Sequence, residues 1–313
     1  MNKIERLAVY AIFFLALIPL TLFDFSITSS LYNSSSVFGK IFYVGGQAPF
    51  LIFGSFVCAL AYFYRPKASK KMSVWFGILF LFASVAMAIY SGSELAKGVN
   101  RLLGNPWHGF IKIAMYFPFA LPCFLLGFLP AWGLRKKMGR EKEIFAFAFM
   151  VIFYALYILV FTNLLKVIAY RPRYRLLVSL YEGDGIASHW RPWYAWQTLF
   201  NKDSYAADLE EAGVAYKLDD FLSFPSGHTI VAIGTLMIAY FPGLERHRPW
   251  LRPLCYAYGA VVGLSRIFLG DHNATDSLFG FYLGVAAIDA LFALILPRFS
   301  SFLEKKGALP LTE

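Results

Sequence analysis

The chain is predicted to be all-α: a polytopic membrane helix bundle of about eight transmembrane helices. Three observations predict it. Of 313 residues, 58% are hydrophobic and 15% charged, against about 45–50% and about 25% in an ordinary soluble domain. The apolar residues gather into runs of about 20, the length that crosses roughly 30 Å of hydrocarbon. Those runs lack the alternation of a lipid-facing barrel strand, so helices are the spanning element. Disorder, a fibrous repeat and a water-soluble globule drop out together.

In chain order the runs cover 7–26, 42–64, 73–91, 110–133, 143–165, 228–244, 251–266 and 273–296. The first follows Met1-Asn-Lys-Ile-Glu-Arg6 without a small-x-small cleavage site, so it is expected to remain as a span. The sixth and seventh are short and interrupted by Pro or Gly, which blurs their ends. Lys and Arg collect in alternate connections: Arg65, Lys67, Lys70 and Lys71; Arg135, Lys136, Lys137, Arg140 and Lys142; Arg246, Arg248 and Arg252. The tail adds Arg298, Lys305 and Lys306, whereas the connections near 28–41 and 92–109 carry only Lys40, Lys97 and Arg101. The positive-inside rule then puts both termini in the cytoplasm, with a plasma (inner) membrane location and an outer, periplasmic site as the expectation. This asymmetry accounts for most of the net charge of +10. The bilayer is therefore the expected partner, and nucleic acid is not. Cys58, Cys123 and Cys255 lie in apolar runs without ligand spacing and read as small hydrophobes.

The outer connection from Arg171 to Phe224 is too long for a mere linker. Its first half holds Trp190, Trp193, Tyr194 and Trp196; its second holds Asp208, Glu210, Glu211, Asp219 and Asp220. It is either a cap with aromatics at headgroup level or a lid that selects the headgroup.

Three polar clusters fall at the outer ends of the last four runs. In Lys166-Val-Ile-Ala-Tyr-Arg171-Pro172-Arg173-Tyr174-Arg175, four cations oppose the topology rule, and a bound anion would explain them better than snorkelling. In Phe224-Pro225-Ser226-Gly227-His228-Thr229, a helix start offers free N–H groups, a hydroxyl and a glycine where a phosphate can approach. In Ser265-Arg266-Ile-Phe-Leu-Gly270-Asp271-His272-Asn-Ala-Thr-Asp276, a helix beginning near Asp271 would put His272 and Asp276 on one face. Two imidazoles, fixed cations and a helix N-terminus, with no carboxylate cluster for a metal, fit metal-free phosphoryl transfer: one imidazole attacks, the other protonates the leaving oxygen. His247 lies among cytoplasmic arginines, and His108 and His189 have no evident partner.

Jointly, these clusters resemble the signature of the type-two phosphatidic acid phosphatase superfamily: Lys-x6-Arg-Pro, Pro-Ser-Gly-His, and Ser-Arg-x5-His-x3-Asp. Lys166 reaches Arg173 across six residues; Tyr174 replaces the usual proline, and Arg171-Pro172 is a competing alignment with only four intervening residues. The resemblance implies that His272 is the nucleophile, Asp276 its orienter, and His228 the acid for the leaving group. It also implies that Lys166, Arg173, Arg266, Ser226 and Gly227 bind the phosphoryl oxygens, with no metal and no cofactor. Membrane members usually have a six-helix core, here 73–313 with the outer segment 171–224. Residues 1–72 would then be two added N-terminal helices.

The substrate class so implied is a lipid phosphate: phosphatidate, phosphatidylglycerol phosphate or a prenyl diphosphate. Transfer to an acceptor lipid is the alternative within the fold. A transporter is the alternative outside it, but leaves the His-x3-Asp and Pro-Ser-Gly-His placements unexplained. Asp289, deep in the last run, reads as a protonated or hydrogen-bonded packing group, and Asp24 as interfacial. Asn163 either positions Lys166 or bonds between helices.

Overall fold

The structure, a computed structural model, describes residues 3–66, 70–195, 211, 213 and 217–305. Lys67, Trp196, Asp208, Glu210 and Lys306, singled out above, lie outside the described residues. Every regular element among the described residues is helical. The first helices are α1 (Lys3–Leu31), α2 (Val37–Gly45), α3 (Ala48–Phe63), α4 (Lys70–Leu102), α5 (Gly109–Ala114) and α6 (Tyr116–Leu134). Then come α7 (Glu141–Tyr157), α8 (Asn163–Ala169), α9 (Tyr174–Leu180) and α10 (Asp184–His189). After the outer segment follow α11 (Gly227–Ile233), α12 (Leu236–Tyr240), α13 (Arg248–Phe268), α14 (Ala274–Ala290) and α15 (Leu296–Lys305). π-Helical turns join α7 to α8 (Ile158–Thr162) and α14 to α15 (Leu291–Ile295).

All eight apolar runs are helical, but they do not all qualify as single spans. Six stretches are long and apolar enough: Ile4–Leu31, Val37–Phe63, Lys70–Leu102, Gly109–Leu134, Glu141–Leu180 and Ala274–Lys305. The sixth and seventh runs are the arms of a pair, Gly227–Tyr240 and Glu245–Phe268, bent by 119°. Among the described residues the count is thus six, or seven with that pair as one span, rather than eight. The cause is length and charge: Gly227–Tyr240 rises only about 21 Å, and its partner opens on Glu245, Arg246 and Arg248.

The chain forms two compact units. One comprises Met1–Tyr43, Tyr157–Ile230 and Gly259–Gly284; the other comprises Val44–Leu156, Val231–Tyr258 and Val285–Glu313. The second unit is held by rings and small residues. Phe80 meets Phe145 and Phe149 edge-on, each at 5.1 Å between centroids, and Phe50 meets Tyr154 at 87°. Where α4 crosses α6, a Cβ on Gly92 would fall 2.3 Å from the Ala120 nitrogen, so only glycine allows that approach. Ser84 Oγ donates to the Ser55 carbonyl of α3 at 2.9 Å. Asp289 in this unit is half-buried and engaged with its surroundings.

The first unit has a different interior. Its small apolar cluster of Tyr170, Leu176, Leu177 and Phe221, with Trp190 against it, seats the outer segment. Trp190 Nε1 donates to Asn273 Oδ1 at 3.1 Å and Trp193 Nε1 to Thr21 Oγ1 at 3.0 Å. Around this cluster the unit buries charge.

Candidate functional site

α8 ends where Tyr170 takes a left-handed backbone (φ 43°), its ring stacked on Phe221 at 4.9 Å. Pro172 prevents the helix from resuming at once. The chain then presents Arg171, Arg173 and Arg175 to carboxylates, Arg173 and Arg175 sharing Asp271. Arg171 is buried and bonds Asp24 Oδ2 at 2.8 Å, Asp276 Oδ1 at 2.5 Å and the Arg191 carbonyl at 2.8 Å. Arg173 donates to the Asp219 carbonyl at 2.8 Å and to Asp219 Oδ1 at 2.7 Å, and lies 3.6 Å from Asp271. Arg175 pairs with Asp271 and, at 3.1 Å, with Asp220.

This corrects the idea that all four outer cations await an anion, because the protein supplies carboxylate partners to Arg171, Arg173 and Arg175 itself. Among the described residues no carboxylate forms an ion pair with Lys166. Its ammonium lies against Gly227, where a Cβ would sit 3.5 Å from Nζ. Asn163 does not position it: Asn163 Nδ2 donates to the Leu159 carbonyl one turn back, at 2.7 Å.

Ser226 starts α11. Its N–H donates to the Asp276 carbonyl at 3.0 Å, and its Oγ accepts from Thr229 Oγ1 at 2.8 Å and from the Thr229 N–H at 3.4 Å. The hydroxyl is thus a helix cap with its own proton still to give. The turn packs so closely that a Cβ on Gly280 of α14 would lie 2.6 Å from the Ser226 carbonyl oxygen. By helical geometry the N–H of Gly227 in this first turn has no intrahelical acceptor.

α14 begins at Ala274 rather than near Asp271, so His272 stands just before the helix. Its ring is buried, and Nδ1 lies 2.5 Å from the Ser223 carbonyl oxygen. A carbonyl only accepts, so Nδ1 carries the proton and Nε2 holds the lone pair. The sequence reading had Asp276 orienting this ring, but Asp276 Oδ2 is 4.0 Å from Nδ1. Asp276 stands one step back, accepting from Ser223 Oγ at 2.5 Å and from the Asn273 N–H at 2.8 Å.

Lys166, Arg173 and Arg266 act electrostatically on both His228 and His272. For His272, burial first and then these three cations hold the imidazole well below its ordinary value of 6.5, so the ring stays neutral. Arg266 is fully buried, bonded through Nη2 to Asp271 and set over the Tyr43 ring at 4.6 Å from its centroid. That same ring stacks on His228 at 5.7 Å. The structure thus brings Lys166, Arg173, Ser226, Gly227, His228, Arg266, His272 and Asp276 into one unit.

Sequence reasoning missed Ser223, Tyr43 and Asp271, and did not foresee that Asp24 is buried within the protein and paired with Arg171. His189 bonds Gly185 and stacks on Tyr181, and His247 meets Trp250.

An arrangement of two imidazoles among three cations and a helix start has a counterpart among known proteins. Residues 145–300 match the family model described as the PAP2 superfamily. Over this segment the chain belongs to that superfamily. All eight residues above fall inside the PAP2 segment, while Asp24 and Tyr43 fall outside it. The chain is also 36% identical over 69 residues to phosphatidylglycerophosphatase B of Bacillus subtilis (strain 168), covering 20% of this chain and 34% of that protein. The match therefore spans about a third of that relative's length. No solved structure matches the chain.

Proposed function

We propose that the protein is a metal-independent membrane phosphatase that hydrolyses a phosphate monoester or diphosphate of a lipid. The candidates are phosphatidate, phosphatidylglycerol phosphate and a prenyl diphosphate. The carrying observation is the geometry of the buried His272 ring: Nδ1 lies 2.5 Å from the Ser223 carbonyl oxygen, which leaves the Nε2 lone pair available for attack. Membership of the PAP2 superfamily and the likeness to a phosphatidylglycerophosphatase support the substrate class.

In this mechanism Nε2 of His272 attacks phosphorus, forming the P–N bond as the P–O bond to the lipid breaks. The electron pair leaves on the lipid oxygen, which takes a proton from His228, entering the step as the imidazolium once the anionic phosphate of the bound substrate offsets the surrounding cations. Lys166, Arg173 and Arg266, the Ser226 hydroxyl and the Gly227 N–H hold the three equatorial oxygens, where charge accumulates in the transition state. Water then attacks the phosphohistidine, gives its proton to His228 and releases phosphate as the P–N bond breaks. Residues 73–313 supply all these groups. The positive-inside pattern supports an outward-facing site with cytoplasmic termini.

The test is phosphate release from a panel of lipid monophosphates and diphosphates in detergent containing a chelator. The expected result is turnover of at least one lipid that disappears in His272→Ala and in His228→Ala while both variants stay folded. Full turnover in both variants would remove this mechanism.

A further inference from the structure

α1 is exposed along most of its length: only 6% of its most apolar window is buried. Among its described residues the buried ones are Asp24 and Thr28, both polar and one turn apart. An acid in such a helix is costly unless it is paired. Both residues point at the start of α14, the helix that follows His272. Thr28 Oγ1 accepts the Ala274 N–H at 3.2 Å, and Asp24 Oδ1 accepts the Thr275 N–H at 3.0 Å. Asp24 Oδ2 takes the Thr275 hydroxyl and Arg171 Nη2.

Capping alone does not require a carboxylate, because Ser, Thr or Asn caps a helix about as well. The charge answers Arg171, which is buried with it. Arg171 in turn reaches Thr275 Oγ1 at 2.9 Å and Asp276 Oδ1 at 2.5 Å. Asp276 holds Ser223, whose carbonyl holds the His272 ring. Five groups thus form one connected line from α1 to the imidazole.

We propose that Asp24 is a positioning residue. Acting through Arg171, Asp276 and Ser223, it holds His272 in the orientation for attack, so α1 is part of the catalytic apparatus although it lies outside the PAP2 segment. This rests on the function proposed above. Arg173, Lys166 and Arg266 do not belong to the line, so the effect falls on the chemical step and not on substrate capture.

The experiment measures kcat and KM per folded molecule for the full chain in detergent, with the lipid phosphate that gives the highest turnover. Asp24→Asn keeps an acceptor for Thr275 and removes the charge; Asp24→Ala removes both. The expected result is a fall in kcat of about 10-fold for Asn and about 100-fold for Ala, with KM changed by less than about 2-fold. Asp24→Asn added to Asp276→Asn should cost less than the product of the two single losses, because both act on one line. Wild-type kcat in Asp24→Asn, with or without lower thermal stability, would overturn the proposal; so would fully multiplicative losses in the double variant. Should Asp24→Ala not accumulate folded, the isosteric Asn variant and its double decide. A dead His272→Ala beside a fully active Asp24→Asn would sink this inference alone. An active His272→Ala would sink the function it rests on.

Discussion

Among the described residues, the fully buried side chains of the first unit include Arg266, Asp271, Asp276 and His272; those of the second include Phe50, Phe80, Phe145, Phe147 and Tyr154. Each interior solves a different problem. Rings in contact tolerate small shifts, because dispersion and edge-to-face attraction vary smoothly with position. A buried ion network does not, since every charge taken out of water must keep its partners or lose more than the pair contributes. The charged interior therefore defines one geometry for the imidazoles, whereas the aromatic interior supplies cohesion. Changes in the two units should accordingly separate activity from stability.

The largest separation is expected at His272. His272→Ala should lower turnover by ~10⁴-fold or more, with little change in the melting temperature in detergent; a collapse of the melting temperature would blur the division. Phe80→Ala, in the other unit, should do the reverse. It should cost about 3 kcal/mol, the low end for such truncations because lipid rather than water is the alternative surrounding. Chemical unfolding should show that loss, while kcat per folded molecule stays near wild type.

Tyr43 tests a neutral member of the charged unit, since its ring meets both Arg266 and His228. Tyr43→Ala should reduce kcat/KM about 10-fold and Tyr43→Phe much less, as expected if the ring face carries the effect. The mildest test is the pH profile. In the proposed mechanism neutral His272 is the reactive form, and its affinity for a proton is depressed by burial and by Arg173, Lys166 and Arg266. As pH falls through 6.5, where an ordinary imidazole charges, the contribution of His272 to kcat/KM should hold, failing only at lower pH. A His272 limb at or above 6.5 would mean that those cations do not govern the ring.

Much of this was legible in the residues. Continuous apolar runs marked every long helix, and the spacing of Lys166, Arg173, His228, Arg266, His272 and Asp276 singled out residues that fold into one unit. The bent pair was less legible, because the length of an apolar run does not show where Phe241-Pro242-Gly243 interrupts the helix. Ser223 was invisible for another reason: it acts partly through a backbone carbonyl, which any residue could offer. Tyr43 is one of 19 tyrosines, and nothing local distinguishes a ring that will meet Arg266. Asp24 did leave a trace, as a lone acid in an apolar run with Thr28 one turn on, but its partner Arg171 lies 147 residues away.

The π-helical turn Ile158–Thr162 has its own consequence for Lys166, four residues beyond it. A regular helix advances about 100° per residue, and one wide turn puts everything after it out of phase with what came before. Lys166 therefore occupies an azimuth that no single helical wheel drawn from Glu141 onward would assign to it. Removing any one residue from that stretch would swing the ammonium by about 100°, even with every other side chain retained. For this lysine, the number of residues between Tyr157 and Lys166 carries as much information as their identity.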